Sequence, residues 1–142
     1  MTIKDVSMHE SVKYVEPVNL YGCKLEENTF IGPFVEIQKN VLINKNTRIQ
    51  SHSFICSDVT IGENCFIGHG VMFTNDKFSE GKVNFKEPFE KTYVGNNVLI
   101  GSNTTILPVK IGDNIVIGAG SVVTKDLLEP GVYVGNPAKK IK

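Results

Sequence analysis

The residues IGPFVE-IQKNVL-INKNTR-IQSHSF-ICSDVT-IGENCF-I run from Ile31 to Ile67. Every sixth one is isoleucine: Ile31, Ile37, Ile43, Ile49, Ile55, Ile61 and Ile67. A period of six is neither the 3.6 of an amphipathic helix nor the 2 of a half-buried strand. A beat this short marks one small structural unit that buries its apolar side only by stacking on copies of itself. It predicts a parallel β-helix, short strands coiled round one hydrophobic axis.

The other positions of the hexad fit that geometry. Three places after each aliphatic come Asn28, Phe34, Asn40, Asn46, His52, Asp58, Asn64 and Gly70. Asparagine, aspartate and glycine tolerate positive φ, so these are the expected corners. Phe34 and His52 depart from the pattern, and a bulky side chain at a left-handed corner is costly. Two places before each aliphatic stand Val35, Val41, Thr47, Ser53, Val59, Cys65 and Val71, small enough to share the interior.

Beyond Phe73 the beat fails. It resumes at Val94, Ile100 and Ile106, drops one residue at Pro108, and continues through Ile111, Ile117 and Val123. The expectation is a single all-β domain. Residues 1–24, without a clear beat, are expected to cap the first coil; 25–76 and 93–126 form coils; 77–92 is a protruding loop; 127–142 is a short C-terminal tail. A structureless loop as long as 77–92 is usually functional. Three hexads to a coil put residues eighteen apart on top of one another. If the loop fills one hexad, Ile100 and Ile117 return to the face of Ile31, Ile49 and Ile67. Ser51, His69, Ser102 and Ala119 then line one edge, with His52, Gly70, Asn103 and Gly120 beside them.

The bulk composition narrows the function. Fifteen basic and fifteen acidic side chains cancel, so nothing points to nucleic acid or to a charged membrane surface. Residues 1–10 lack the apolar run of a signal peptide, and no stretch approaches the roughly 20 apolar residues of a membrane span. Cys23, Cys56 and Cys65 are odd in number and lack metal-ligand spacing; Cys23 and Cys65 fall at inward positions and read as small core residues. No metal is expected, and a reducing, cytoplasmic setting fits.

With these residues in hand, the chain resembles the hexapeptide-repeat acyltransferases, which have a left-handed parallel β-helix and are usually trimers. Gly135-Asn-Pro-Ala-Lys-Lys140, following Gly118-Ala-Gly-Ser-Val-Val-Thr-Lys-Asp126, is similar to the segment with which acetyl-CoA-dependent members hold that donor. Ile49-Gln-Ser-His-Ser-Phe-Ile-Cys56 and Phe66-Ile-Gly-His-Gly-Val-Met-Phe-Thr-Asn-Asp76 resemble N-acetyltransferases of nucleotide-linked amino sugars. Most similar are those acting on the 3-amino group of dTDP-3-amino-3,6-dideoxyhexoses, with a UDP-linked sister group. The resemblance implies a cytoplasmic homotrimer with sites between subunits, acetyl-CoA as acetyl donor, and a place in bacterial surface polysaccharide (lipopolysaccharide, O-antigen) synthesis.

Acetyl transfer needs a thioester held beside an unprotonated amine and a donor for the developing oxyanion. His52 and His69 are the catalytic candidates, as a general base or as groups that orient amine and thioester. A sugar amine that is already unprotonated needs no protein base. Asn75 matches a residue that lies near the sugar in the resembling enzymes; Asn75 and Asp76 equally suit a sharp turn out of the coil. For the cofactor, Gly101, Ser102, Gly118 and Ala119 allow close approach of the pantetheine arm. Pro137 belongs to the tail motif, and Lys125, Lys139 and Lys140 are the charges for the phosphates. From the coil of Gly135 to that of His69 is three strand spacings, about 14 Å, which suits an extended pantetheine. Two alternatives remain at this point. A zinc carbonic anhydrase on this fold needs three coil histidines, and only His52 and His69 lie in the coil; a β-helix that merely binds a partner would not bind CoA.

Overall fold

The computed structural model describes residues 2–142; Met1, the first residue of the expected cap, lies outside the described part. Short strands alternate with turns along the chain and stack into three parallel sheets, the faces of a triangular prism. Sheet A contains Thr2–Lys4, Asn19–Tyr21, Glu36–Ile37, Phe54–Ile55, Met72–Phe73, Thr105–Ile106 and Val122–Val123. Sheet B contains Ser7–Met8, Lys24–Leu25, Leu42–Ile43, Val59–Ile61, Thr92–Val94 and Lys110–Ile111. Sheet C contains Lys13–Tyr14, Phe30–Ile31, Arg48–Ile49, Phe66–Ile67, Leu99–Ile100, Ile115–Ile117 and Gly131–Val134, closed by antiparallel Lys139–Lys140. This is the expected all-β parallel β-helix.

The isoleucines form its axis. Ile31, Ile37, Ile43, Ile49, Ile55, Ile61 and Ile67 are each fully buried, and successive coils place like on like: Ile31 beside Ile49, Ile49 beside Ile67. Burying one such side chain contributes about 1.5–3 kcal/mol. Two buried hydroxyls tie the coils together inside the corners. Thr47 Oγ1 donates to the Gly62 carbonyl (2.7 Å) and accepts from the Cys65 N–H (3.0 Å). Ser53 Oγ does the same with the Gly68 carbonyl (2.8 Å) and the Val71 N–H (3.1 Å).

The first residues are not a cap. Thr2 lies opposite Asn19, Ser7 opposite Lys24 and Lys13 opposite Phe30, so residues 2–15 form a regular first coil. These partners are seventeen apart rather than eighteen, which breaks the isoleucine beat. Met8 and Tyr14 stand in the register of Leu25 and Ile31, Met8 packed on the core and Tyr14 exposed at the open end. The loop behaves as a single-hexad insertion: Ile67 pairs with Ile100, and Ile100 with Ile117. It leaves sheet A after Phe73 and enters sheet B at Thr92. The Asp76 carboxylate pins its start by accepting the N–H groups of Phe78 (2.9 Å) and Asn84 (2.7 Å). Glu87 forms an ion pair with Lys39, anchoring the loop to a corner of its own chain.

Candidate active site at one edge of the β-helix

The corner joining sheet C to sheet A collects most of the candidates, because each coil turns there three residues after its sheet-C aliphatic. Phe34, His52, Gly70, Asn103 and Gly120 occupy equivalent corner positions in five successive coils, with φ between 60° and 71°. The backbone ladder fixes their order: Phe34 N–H donates to Pro17 O, His52 N–H to Pro33 O, Gly70 N–H to Ser51 O, Asn103 N–H to His69 O, and Gly120 N–H to Ser102 O. His52 and His69 therefore lie on one edge in adjacent coils, offset by one residue, and both are exposed.

The imidazole of His69 is held from one side. Its Nδ1 shares a hydrogen bond with Ser51 Oγ at 2.8 Å, and its backbone N–H donates to Ser102 Oγ at 3.3 Å. Nε2 makes no hydrogen bond among the described residues, and His69 is exposed. If Ser51 donates, Nε2 carries the proton and can donate to an oxyanion; if Nδ1 donates, Nε2 is a base. The ring of His52 instead stacks on Phe34, with centroids 4.9 Å apart and planes at 18°. Gln50, which interrupts the column Gly32, Gly68, Gly101 and Gly118 between the end residues Val15 and Val134, has its buried Oε1 without a hydrogen-bond partner among the described residues. Sequence reasoning flagged Phe34 as out of place but gave it no role, and missed Gln50. The signal for Gln50 was its break in the glycine column.

Gly101, Ser102, Gly118 and Ala119 continue down the same edge, and Pro137 lies beneath them, where Gly135 N–H donates to Ser121 Oγ and Ala138 N–H to Val122 O. The glycines serve the fold first. A Cβ on Gly101 would stand 2.5 Å from Ala119 N, and one on Gly118 would stand 2.4 Å from Val134 Cγ1. Their missing side chains let coils approach each other, so approach of a cofactor is not needed to explain them. Lys139 and Lys140 fold back against Val134 and Tyr133. Lys125 stands apart, after sheet A on the A–B side, next to Asp126, whose carboxylate accepts Lys110 N–H.

Asn75 and Asp76 are not brought to the histidines. They follow Phe73 at the far border of sheet A, roughly 16 Å of extended chain from Gly70. Both oxygens of Asp76 are also occupied by the loop backbone, so turn building accounts for this residue. Beside them, Phe54, Met72, Asn75 and Phe78 wall a shallow apolar cavity of about 310 Å³. Phe85 projects from the loop, 85% exposed.

The three thiols lie away from the histidine edge. All are buried, Cys56 included, and burial pushes Cys23 up to about 11 and Cys56 up to about 12; it raises Cys65 as well. Among the described residues no group of three or more histidine, cysteine or acidic side chains is placed to hold a metal ion, and no helix is long and apolar enough to cross a membrane.

Residues 22–57 and 43–75 match the family model described as bacterial transferase hexapeptide (six repeats), and residues 91–125 match the hexapeptide repeat of succinyl-transferase. Among curated proteins, the bifunctional protein GlmU of Streptococcus uberis is 34% identical over 122 residues, covering 85% of this chain and 24% of that protein. GlmU of Thermosipho africanus is 41% identical over 115 residues, covering 80% of this chain and 23% of that protein. The chain thus spans about a quarter of the length of these relatives. Among solved structures, a mutant of AntD, an N-acyltransferase from Bacillus cereus in complex with dTDP-4-amino-4,6-dideoxyglucose and coenzyme A, superposes with a TM-score of 0.79 at 19% identity, covering 97% of this chain and 83% of that one. A mutant of perosamine N-acetyltransferase from Caulobacter crescentus, in complex with CoA and GDP-perosamine, gives a TM-score of 0.70 at 22% identity, covering 96% and 56%. At these identities the likeness is one of fold.

Proposed function

We propose that this hexapeptide-repeat β-helix is an acetyl-CoA-dependent N-acetyltransferase acting on the 3-amino group of a nucleotide-linked amino-deoxyhexose, with dTDP as the nucleotide. The observation that carries the reading is the edge itself: His52 and His69 sit in adjacent coils above a rigid run of small residues, Gly101, Ser102, Gly118 and Ala119. Such an edge suits an extended pantetheine arm whose thioester ends at the histidines. The structures of AntD and of perosamine N-acetyltransferase hold CoA with dTDP-4-amino-4,6-dideoxyglucose and with GDP-perosamine. The fold likeness to them supports the coarser part of the reading, CoA-dependent acyl transfer to a nucleotide-linked amino sugar; the 3-amino position rests on the sequence resemblance.

In this reading the unprotonated amine attacks the thioester carbonyl, the tetrahedral intermediate expels the CoA thiolate, and the amine proton ends on that sulfur. His52 orients the amine and His69 orients the thioester through Nε2. Most of the rate gain is then approximation and orientation. Pro137, Lys139 and Lys140 border the far end of the pantetheine arm, and Lys125 meets the phosphates only from a neighbouring copy of the chain.

A second copy also completes the acceptor side, since Asn75 cannot reach the histidines within one protomer. Phe66, Leu99 and Val116 form an exposed apolar ladder on sheet C, immediately before the C–A edge. The corresponding outward positions of sheet B run Lys24, Leu42, Thr60, Tyr93 and Lys110, so its apolar side chains alternate with polar ones and form no ladder. Association through sheet C in a homotrimer would cover that ladder and bring a second Asn75 toward the amine.

The test is turnover of acetyl-CoA by the purified chain with a panel of dTDP- and UDP-linked 3-amino and 4-amino sugars. Acetylation of a dTDP-3-amino sugar is expected. Preference for a 4-amino or UDP-linked acceptor would overturn the finer assignment, and failure to bind CoA in calorimetry would leave a β-helix with no enzymatic role.

A further inference from the structure

The two histidines of the edge are held by contacts of different kinds. His69 spends Nδ1 on Ser51. His52 makes no side-chain hydrogen bond among the described residues; its ring contact is the parallel stack on Phe34. We propose that Phe34 is a positioning residue for His52, fixing the imidazole plane over the edge while leaving both ring nitrogens free for the acceptor. This rests on the reading of His52 as part of the acceptor site.

The corner geometry makes the stack. Phe34 and His52 occupy the same corner position one coil apart, at φ 62° and 65°, and both backbones are locked by N–H bonds to the preceding coil. The spacing of hydrogen-bonded strands, about 4.8 Å, is close to the separation of the two rings. Any pair of planar rings at these positions is therefore delivered into stacking register.

Neither the turn nor the core accounts for phenylalanine here. Positive φ favours asparagine or glycine, and asparagine stands at the corresponding corner of another coil, Asn103. Phe34 is 56% exposed and is not part of the buried core. What its ring does contact is His52.

An imidazole oriented by a hydrogen bond has one nitrogen left for substrate; one oriented by stacking has two. His52 can then accept a hydrogen bond from the sugar amine at one nitrogen and donate from the other to a second acceptor group. His69, held in the adjacent coil by Ser51 of the same turn as His52, shows the hydrogen-bonded alternative in the same protein.

The experiment compares the full chain with Phe34→Asn and Phe34→Tyr by NMR of the His52 ring protons, thermal melting and steady-state kinetics. Ring-current shielding should move the His52 C–H resonances upfield in the parent. Phe34→Asn should abolish that shift, leave the melting temperature equal or higher, and lower kcat about tenfold as expected for lost orientation. KM for acetyl-CoA should not move, and Phe34→Tyr should restore both shift and rate. Unchanged His52 resonances in Phe34→Asn, or a lost shift with full kcat, would overturn the inference. So would a fall in melting temperature, which would make Phe34 a scaffold residue. Inactivity of the parent on every acceptor strikes the proposed function; a fully active Phe34→Asn strikes this inference alone.

Discussion

Two corners of the prism meet the same backbone demand and answer it differently. At the B–C corner the left-handed positions are Asn28, Asn46, Asn64, Asn97 and Asn114, with φ between 57° and 61°. At the C–A corner they are Phe34, His52, Gly70, Asn103 and Gly120, at nearly the same φ. The interiors of the two corners match, with Thr47 and Ser53 making the same pair of hydrogen bonds to glycine carbonyl and peptide N–H. Turn formation thus accounts for the B–C corner completely. The C–A corner carries side chains that turn formation does not ask for, and that surplus marks the edge on which chemistry is proposed.

The strongest way to break the comparison is to remove what both corners hang from. Ile67, fully buried, stands between Cys65 of the B–C corner and Gly68 of the C–A corner. Ile67→Ala should cost about 2–5 kcal/mol in denaturant unfolding, through lost burial and the cavity left behind. Activity should fall with it. A loss below 1 kcal/mol would mean that the coil closes around the gap and that the ladder is not the common support.

Next in size is a matched pair. Thr47→Val and Ser53→Ala each leave a buried carbonyl and a buried N–H without their hydroxyl partner, at a cost of about 1–3 kcal/mol apiece. The two losses should agree within error if the interiors are equivalent. A Ser53→Ala loss well above that of Thr47→Val would place structural work, not only chemistry, at the C–A corner.

A smaller effect tests the outer positions. Asn46→Phe imposes on the B–C corner the residue that the C–A corner carries, and should lower stability by about 1 kcal/mol through left-handed strain. The kcat should not change. A fall in kcat with the fold intact would show that the asparagine corner is also part of the site.

What the sequence revealed follows from the same contrast. The register from Leu25 to Phe73 was legible because isoleucine at every sixth place fixes both the inward side and the stacking by eighteen, and that alone put His52 and His69 on one edge. The return of Ile100 and Ile117 to that face followed only from the assumption that the loop fills one hexad, since whole sides of the prism are preserved whether it spans one or several. The pairing of Ile67 with Ile100 and of Ile100 with Ile117 bears that assumption out. The first coil was not legible. Its seventeen-residue spacing shifts the beat, and Met8 and Tyr14 stand in the register of the aliphatics. Contacts across coils were also beyond reach: a repeat gives the position of Ser51 beside His69 but not the bond between them. The glycine positions were visible but not their main cause, since the atoms that Gly101 and Gly118 approach most closely, Ala119 N and Val134 Cγ1, lie eighteen and sixteen residues further on. For Asp76, the choice between substrate and turn depended on where an irregular loop places its N–H groups, which no periodicity encodes.

The cysteines give the weakest signal near neutrality and a directional one above it. Cys23 follows Gly22 on the A–B side, Cys56 leads from sheet A toward the same side, and Cys65 lies under the B–C corner, where its thiol donates to Gly95 O at 3.1 Å. The C–A corner has none. Burial, partly opposed by backbone hydrogen bonds, raises all three thiols from their ordinary value of 9.0, Cys23 to about 11 and Cys56 to about 12. A raised folded-state value means that the native protein holds protons which the unfolded chain releases. Stability from this source is therefore complete below about 9.0 and declines as the pH climbs through the range toward 12. At neutral pH, native protein exposed to iodoacetamide should keep its thiols and its activity, while urea-unfolded protein labels at all three. Denaturant midpoints should fall on going above pH 9.0, and Cys56→Ala should reduce that slope. Rapid labelling at neutral pH that also abolishes activity would contradict both the burial of the thiols and the confinement of chemistry to the C–A edge.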